Sequence, residues 1–157
     1  YCKFYNEYDF QIYTKYLKKN LSYYSNIKFI KNFDKGLDNN ILSKVKLVIW
    51  DIPGTGFLEC LSSNIPTLCF LDKNIINTHK TQKSLFGELN KVGIINYNYK
   101  DLLKNIRLFI KNEKKWSFNK KRHNVVKKFT YKFARTDKNW NKIWKNKITE
   151  IAQQNER

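Results

Sequence analysis

Apolar positions in this chain fall into short unbroken runs that alternate with stretches of helical spacing. Residues 9–24 carry Ile12, Tyr13, Tyr16, Leu17 and Leu21 near the helical period, which predicts a helix. Residues 27–30 read as a short strand, 34–38 as a turn, and 38–44 as a short helix. Asp38 is the expected N-cap of that helix, and Ile41, Leu42 and Val45 face inward. The β-branched run over 45–50 predicts a buried strand ending at Asp51. A loop over 52–56 leads into a helix that begins with Phe57-Leu58-Glu59-Cys60-Leu61 and is broken by Asn64-Ile65-Pro66. Residues 67–71 form a second buried-type strand, closed by Asp72. A helix over 81–91 ends at Gly93, and residues 94–97 form another strand. An amphipathic helix over 99–112 follows, with Leu102, Leu103, Ile106, Phe109 and Ile110 on one face.

Short apolar strands alternating with helices predict an α/β fold: a parallel sheet with helices on both faces. After about residue 113 the pattern changes. The remainder reads as a basic helical C-terminal tail carrying Trp116, Phe118, Phe129, Tyr131, Phe133, Trp140 and Trp144. The expected organisation is an α/β domain over 1–112 and a tail over 113–157. The tail packs back on that domain or on an N-terminal domain missing from the chain. No internal repeat is visible.

Composition narrows the class. With 41% hydrophobic residues and only 2 Pro and 5 Gly, the 157-residue chain can build a packed interior. No apolar run approaches the roughly 20 residues that cross a bilayer. The chain opens without Met and without a signal-peptide pattern, so Tyr1 reads as an internal residue of a longer protein. Cys2, Cys60 and Cys69 lack metal-ligand spacing, and two of them sit in apolar runs. They are expected to be structural, in a reduced cytoplasmic setting. The net charge of +18 favours anionic partners: nucleic acid, an anionic membrane surface or phosphorylated substrates. The lysines are scattered, often beside asparagine, in a chain also rich in Ile, Tyr and Phe. An AT-rich coding sequence writes that mixture on any exposed surface.

Chemistry concentrates in Asp51-Ile52-Pro53-Gly54-Thr55-Gly56-Phe57-Leu58-Glu59. This is a strand–loop–helix passage, and ligands of open parallel sheets bind at the strands' carboxyl ends. Gly54 and Gly56 let a ligand approach the backbone, and Thr55 either caps the helix or donates its hydroxyl. The helix start presents free N–H groups and a positive dipole end, which suit a phosphate. Glu59, four residues after Thr55, is placed to accept hydrogen bonds from sugar hydroxyls. The competing reading is a plain structural turn. Neither the G-x-G-x-x-G fingerprint nor a Gly-Lys-Ser/Thr phosphate loop is present.

The longer string from Leu47 to Asp72, LVIWDIPGTGFLECLSSNIPTLCFLD, resembles the donor-side core of GT-B glycosyltransferases. It looks closest to a bacterial surface-polysaccharide transferase family. The matching positions are Thr55, Leu58-Glu59, Leu61, Asn64-Ile65-Pro66-Thr67 and Phe70. Leu89, Gly93-Ile94, Trp116, Phe129, Tyr131, Ala134-Arg135, Trp140 and Trp144 continue the match, so the resemblance spans roughly 45–148. It implies one Rossmann-like half of a two-domain GT-B fold, holding a nucleotide-sugar donor. The other half would hold the acceptor, a surface polysaccharide or lipid-linked glycan, and would lie in the same longer chain or on a partner chain. It implies donor-phosphate contacts from Gly54, Thr55 and Gly56, and a ribose or sugar contact from Glu59. It implies no bound metal and no cofactor, and cytoplasmic work, including at the inner face of the plasma membrane. The family often has His or Asn with Ser or Thr where this chain has Pro53-Gly54-Thr55-Gly56. No catalytic base is assigned, because the acceptor half supplies it.

Further candidates each carry two readings. Asp51 either serves the donor site or caps its own loop. His79, after the second strand's loop, either touches a donor diphosphate or is an exposed loop residue with nothing nearby to pair with. His123, in Lys120-Lys121-Arg122-His123, reads as part of a solvated helix face. Arg135 either faces the cleft or pins the tail. Trp140 and Trp144 share a helix face that docks the tail, stacks bases or dips into a membrane. Three functions follow: a glycosyltransferase donor half, a basic nucleic-acid-binding module, or a non-catalytic Rossmann-like remnant. No recognised nucleic-acid motif supports the second.

Overall fold

A computed structural model describes residues 2–4, 6–20, 26–31, 36, 38–72 and 79–155, in two compact units, Tyr1–Val45 and Lys46–Arg157. Most of the expected 34–38 turn, the end of the expected 9–24 helix and most of the loop after Asp72 lie outside the described residues.

In the first unit, β1 (Cys2–Lys3) pairs in parallel with β2 (Phe29–Ile30), and α1 (Glu7–Asn20) connects them. The sequence signals only the second of these strands. The helix starts earlier than expected because Asn6 caps it: its side-chain oxygen accepts from the Asp9 N–H at 2.8 Å. Phe4 packs against Phe10, Tyr13 and Phe29. Asp38 caps α2 (Asn39–Leu42) as expected, accepting from the Asn40 N–H at 2.9 Å.

The second unit holds the three-stranded parallel sheet β3 (Val48–Trp50), β4 (Thr67–Phe70) and β5 (Ile95–Asn96), in that spatial order. The pairs Ile49↔Leu68 and Cys69↔Ile95 set the register. Alternation along β4 sends Thr67 and Cys69 to one face and Leu68 to the other. On the first face α3 (Thr55–Ser62) and α4 (Lys83–Lys91) are the crossovers. They enclose Phe57, Leu61, Leu85 and Leu89 with Cys69, Leu71 and Ile95. On the second face Leu68 meets Phe109 of α5 (Tyr99–Lys111) and Trp116 of α6 (Glu113–Ser117). The chain is thus an α/β protein with parallel strands and helices on both faces.

Turns fall where the sequence signals them. Asn64 takes φ 57° and ends α3, with the Ile65 N–H bonded to the Cys60 carbonyl at 2.9 Å. Gly93 takes φ +77° to enter β5, and a Cβ there would overlap the Asn105 side chain. The α5 face is narrower than expected. Leu102, Ile106 and Phe109 pack inward, but Leu103 and Ile110 are exposed, the latter at 74%. The i, i+4, i+7 strip meets Leu68 and Trp116, whereas the flank at 103 and 110 lies beyond them.

The tail is not uniform. Helix α7 (Lys120–Phe133) packs on α3 and α4 and buries Phe129 in the sheet's core. Every described residue from Trp140 to Gln154 in α8 (Trp140–Asn155) is exposed.

Candidate functional site

The passage from β3 into α3 sits at the carboxyl end of the parallel strands. Gly54 is the N-cap residue of α3, in extended backbone at φ −82°, ψ −165°. Among the described residues no side chain caps this helix; Thr55 is its first helical residue rather than its cap. The expected capping role of Thr55 therefore gives way, because the cap position falls one residue earlier on a glycine. The Leu58 N–H bonds the Gly54 carbonyl at 3.2 Å, closing the first turn. The amides of that turn thus keep a polar, positive end directed at the loop.

Thr55 and Glu59, one turn apart, share a helix face and are both exposed, as is Asp51 at the end of β3. The two glycines differ. Among the described residues nothing lies within 4 Å of where a Gly54 Cβ would be. A Gly56 Cβ would instead overlap the Trp50 ring, lying 2.9 Å from Cζ2 and 3.1 Å from Cζ3. The bare backbone at Gly56 is thus occupied by an indole, and Gly54 is the open position. Trp50 had no special signal in sequence, since it reads simply as the last residue of a strand.

Beneath this edge the core is apolar. Burial pushes the Cys69 thiol up to about 12, with the Asp51 carboxylate adding to the effect. Burial also raises the Cys60 thiol. Both thiols are free and behave as small core hydrophobes.

Arg135 follows the last turn of α7. That helix starts beside the entry to β5, where the Arg122 Nε–H donates to the Val92 carbonyl at 3.1 Å. It ends near the first turn of α3, where Phe129 meets Phe57 edge-on at 6.4 Å. The Arg135 guanidinium pairs with Asp137 and lies 4.8 Å from the Tyr131 ring centroid. His79 is exposed but has a partner that the sequence did not suggest: Nδ1 lies 2.9 Å from the Thr81 hydroxyl. The His79 carbonyl accepts from the Gln82 and Lys83 amides, so this residue shapes the entry to α4.

Two further polar residues carry structure that spacing could not reveal. Arg122 is not part of a solvated face: it donates to the Val92 and Trp116 carbonyls and stacks 3.9 Å from the Trp116 ring centroid. Burial pulls its guanidinium below the usual range. The neighbouring His123 is exposed, as expected. Asn96, fully buried in β5, accepts from Asn105 Nδ2 at 2.7 Å and tethers α5 to the sheet. An open cavity of about 410 Å³ lies beside this region, lined by Gly93, Asn105, Lys104, Lys121 and Arg122, away from the Thr55 loop.

A family model described as LIC12162 family transferase matches residues 1–148, which span both compact units. The chain belongs to the LIC12162 family of transferases. Neither a curated protein nor a solved structure matches it. For this family member, the loop of Gly54 and Thr55 brings free helix-start amides, a hydroxyl and a carboxylate to one exposed sheet edge. Such a set can hold a phosphate and order neighbouring hydroxyls. Among the described residues no helix is long and apolar enough to cross a membrane.

Proposed function

We propose that this transferase is the donor-binding half of a GT-B-type glycosyltransferase. The observation that carries the reading is the β3–α3 edge: an uncapped helix start, an open Gly54, and Thr55 and Glu59 one turn apart. In this proposal the α3 amides and the Thr55 hydroxyl hold the donor diphosphate, and Glu59 accepts from ribose or sugar hydroxyls. The helix dipole and basic side chains offset the charge that develops on the leaving diphosphate. Asp51, His79 and Arg135 are further donor contacts in this proposal, Arg135 once its pairing with Asp137 opens. The acceptor half, in a longer chain or on a partner chain, supplies the base and the glycan or lipid-linked acceptor. The basic surface suits cytoplasmic work beside an anionic membrane.

Calorimetric titration of the chain with UDP, GDP, CDP, ADP and CMP tests this. One nucleotide is expected to bind, with Thr55→Val and Glu59→Ala each weakening it about tenfold, roughly 1.4 kcal/mol. Binding of none of them, beside steeply salt-dependent binding of single-stranded RNA, would overturn the proposal in favour of a nucleic-acid module.

A further inference from the structure

Helix α8 is the part of the chain whose amphipathic pattern finds no use in the described fold. Trp140, Trp144, Ile148 and Ile151 recur at i, i+4, i+8 and i+11, so they line one face. They are 63%, 63%, 60% and 48% exposed. Two indoles and two isoleucines in a continuous exposed stripe are unfavourable in water and mark a surface suited to a partner.

The charge around the stripe points to the chemistry of that partner. On the helical wheel Lys145 and Lys147 flank the stripe on opposite sides, and Lys142 lies across from it. Glu150, the one acid in the helix, is held by Lys147 at 2.8 Å. A second copy of the chain is a poor occupant, because each copy carries +18 and would repel the other. Nucleic acid would engage the lysines but leave the isoleucines wet. An anionic lipid surface satisfies both sets: acyl chains take the stripe, tryptophans sit at headgroup level, and flanking lysines reach lipid phosphates.

We propose that α8 lies in the plane of an anionic lipid surface, with Trp140, Trp144, Ile148 and Ile151 inserted and Lys145 and Lys147 at the headgroups. This deepens the membrane-proximal part of the function proposed above, and it does not depend on donor binding. It makes the helix a peripheral anchor that would hold the donor edge near a lipid-linked acceptor.

The test uses the full chain with phosphatidylcholine vesicles, with and without phosphatidylglycerol. Binding is followed by co-sedimentation and tryptophan emission. Of the four tryptophans, Trp116 is buried and Trp50 half-buried, so a blue shift reports Trp140 and Trp144. The expected result is binding and a blue shift on anionic vesicles only. The Trp140→Ser, Trp144→Ser double variant should bind at least about tenfold more weakly. The Lys145→Gln, Lys147→Gln variant should lose about 25-fold, near fivefold per charge. Because these side chains are exposed, circular dichroism of the variants should match the parent. No binding to anionic vesicles would overturn the proposal. So would binding unchanged by the tryptophan substitutions, or a blue shift that follows protein concentration without lipid. Nucleotide titration without vesicles reports separately on the donor site, so either proposal can fail alone.

Discussion

Replacing Gly56 by alanine tests the account of the β3–α3 edge most directly. The added methyl would sit 2.9 Å from Trp50 Cζ2 and 3.1 Å from Cζ3. Carbon pairs rest at about 3.5–4.0 Å, so the indole must retreat by roughly 1 Å. It packs against the core cluster that contains Phe57 and Cys69, where there is little room to move. Overpacking of this kind costs about 1–3 kcal/mol. Alanine's better helix propensity offsets up to about 1 kcal/mol of that. For an overlap this close the upper part of that range applies, so the expected net loss is roughly 1–2 kcal/mol, a fall of several degrees in Tm. Gly54→Ala is the contrasting variant. It has open space among the described residues and a backbone conformation that alanine adopts, so its stability should stay within about 1 kcal/mol of the parent. Urea unfolding followed by far-ultraviolet circular dichroism measures both. In the Gly56→Ala background, Trp50→Leu should cost about 1 kcal/mol less than it does alone, since it removes the clash. A Gly56→Ala protein as stable as the parent, or strict additivity with Trp50→Leu, would refute the packing argument. Gly54→Ala is also the substitution that should impair a ligand's approach to the backbone without unfolding the domain.

Other expectations rest on buried polar and titratable groups. The Cys69 thiol has a folded value near 12, above its ordinary 9.0, so its contribution to stability is fully present below about pH 9. That contribution is lost as pH rises toward 12, on the order of 4 kcal/mol in all, and Cys60 acts in the same direction. Urea midpoints measured from pH 8 to 11 should fall more steeply for the parent than for Cys69→Ala; parallel slopes would count against a desolvated thiol. Arg122→Lys removes a planar fork that serves the Val92 and Trp116 carbonyls while stacking on an indole. It should cost about 2–3 kcal/mol in thermal unfolding despite the retained charge, and a loss below about 0.5 kcal/mol would show the fork to be dispensable.

Sequence by itself determined what local physics controls. Strand-sized apolar runs alternating with helical spacing determine the α/β order, because backbone hydrogen bonding and side-chain period are properties of neighbouring residues. Asp38 was legible as a cap and Asn64 as a helix end for the same reason. The candidate edge was legible in part: Thr55 and Glu59 share a face because four residues make a helical turn. Only the tertiary structure decided what distant neighbours occupy. Gly56 could not be distinguished from Gly54 until Trp50, six residues back and across a loop, placed its ring against one and not the other. The short β1 became a strand by pairing with residues 27 positions away. Arg122 left the solvated face its lysine neighbours suggested because a carbonyl 30 residues away meets its guanidinium. Leu103 and Ile110 fell outside the core, and α8 stayed bare, because periodicity specifies a face but not what packs against it. Packing joins residues remote in sequence, and no local pattern encodes which partner arrives.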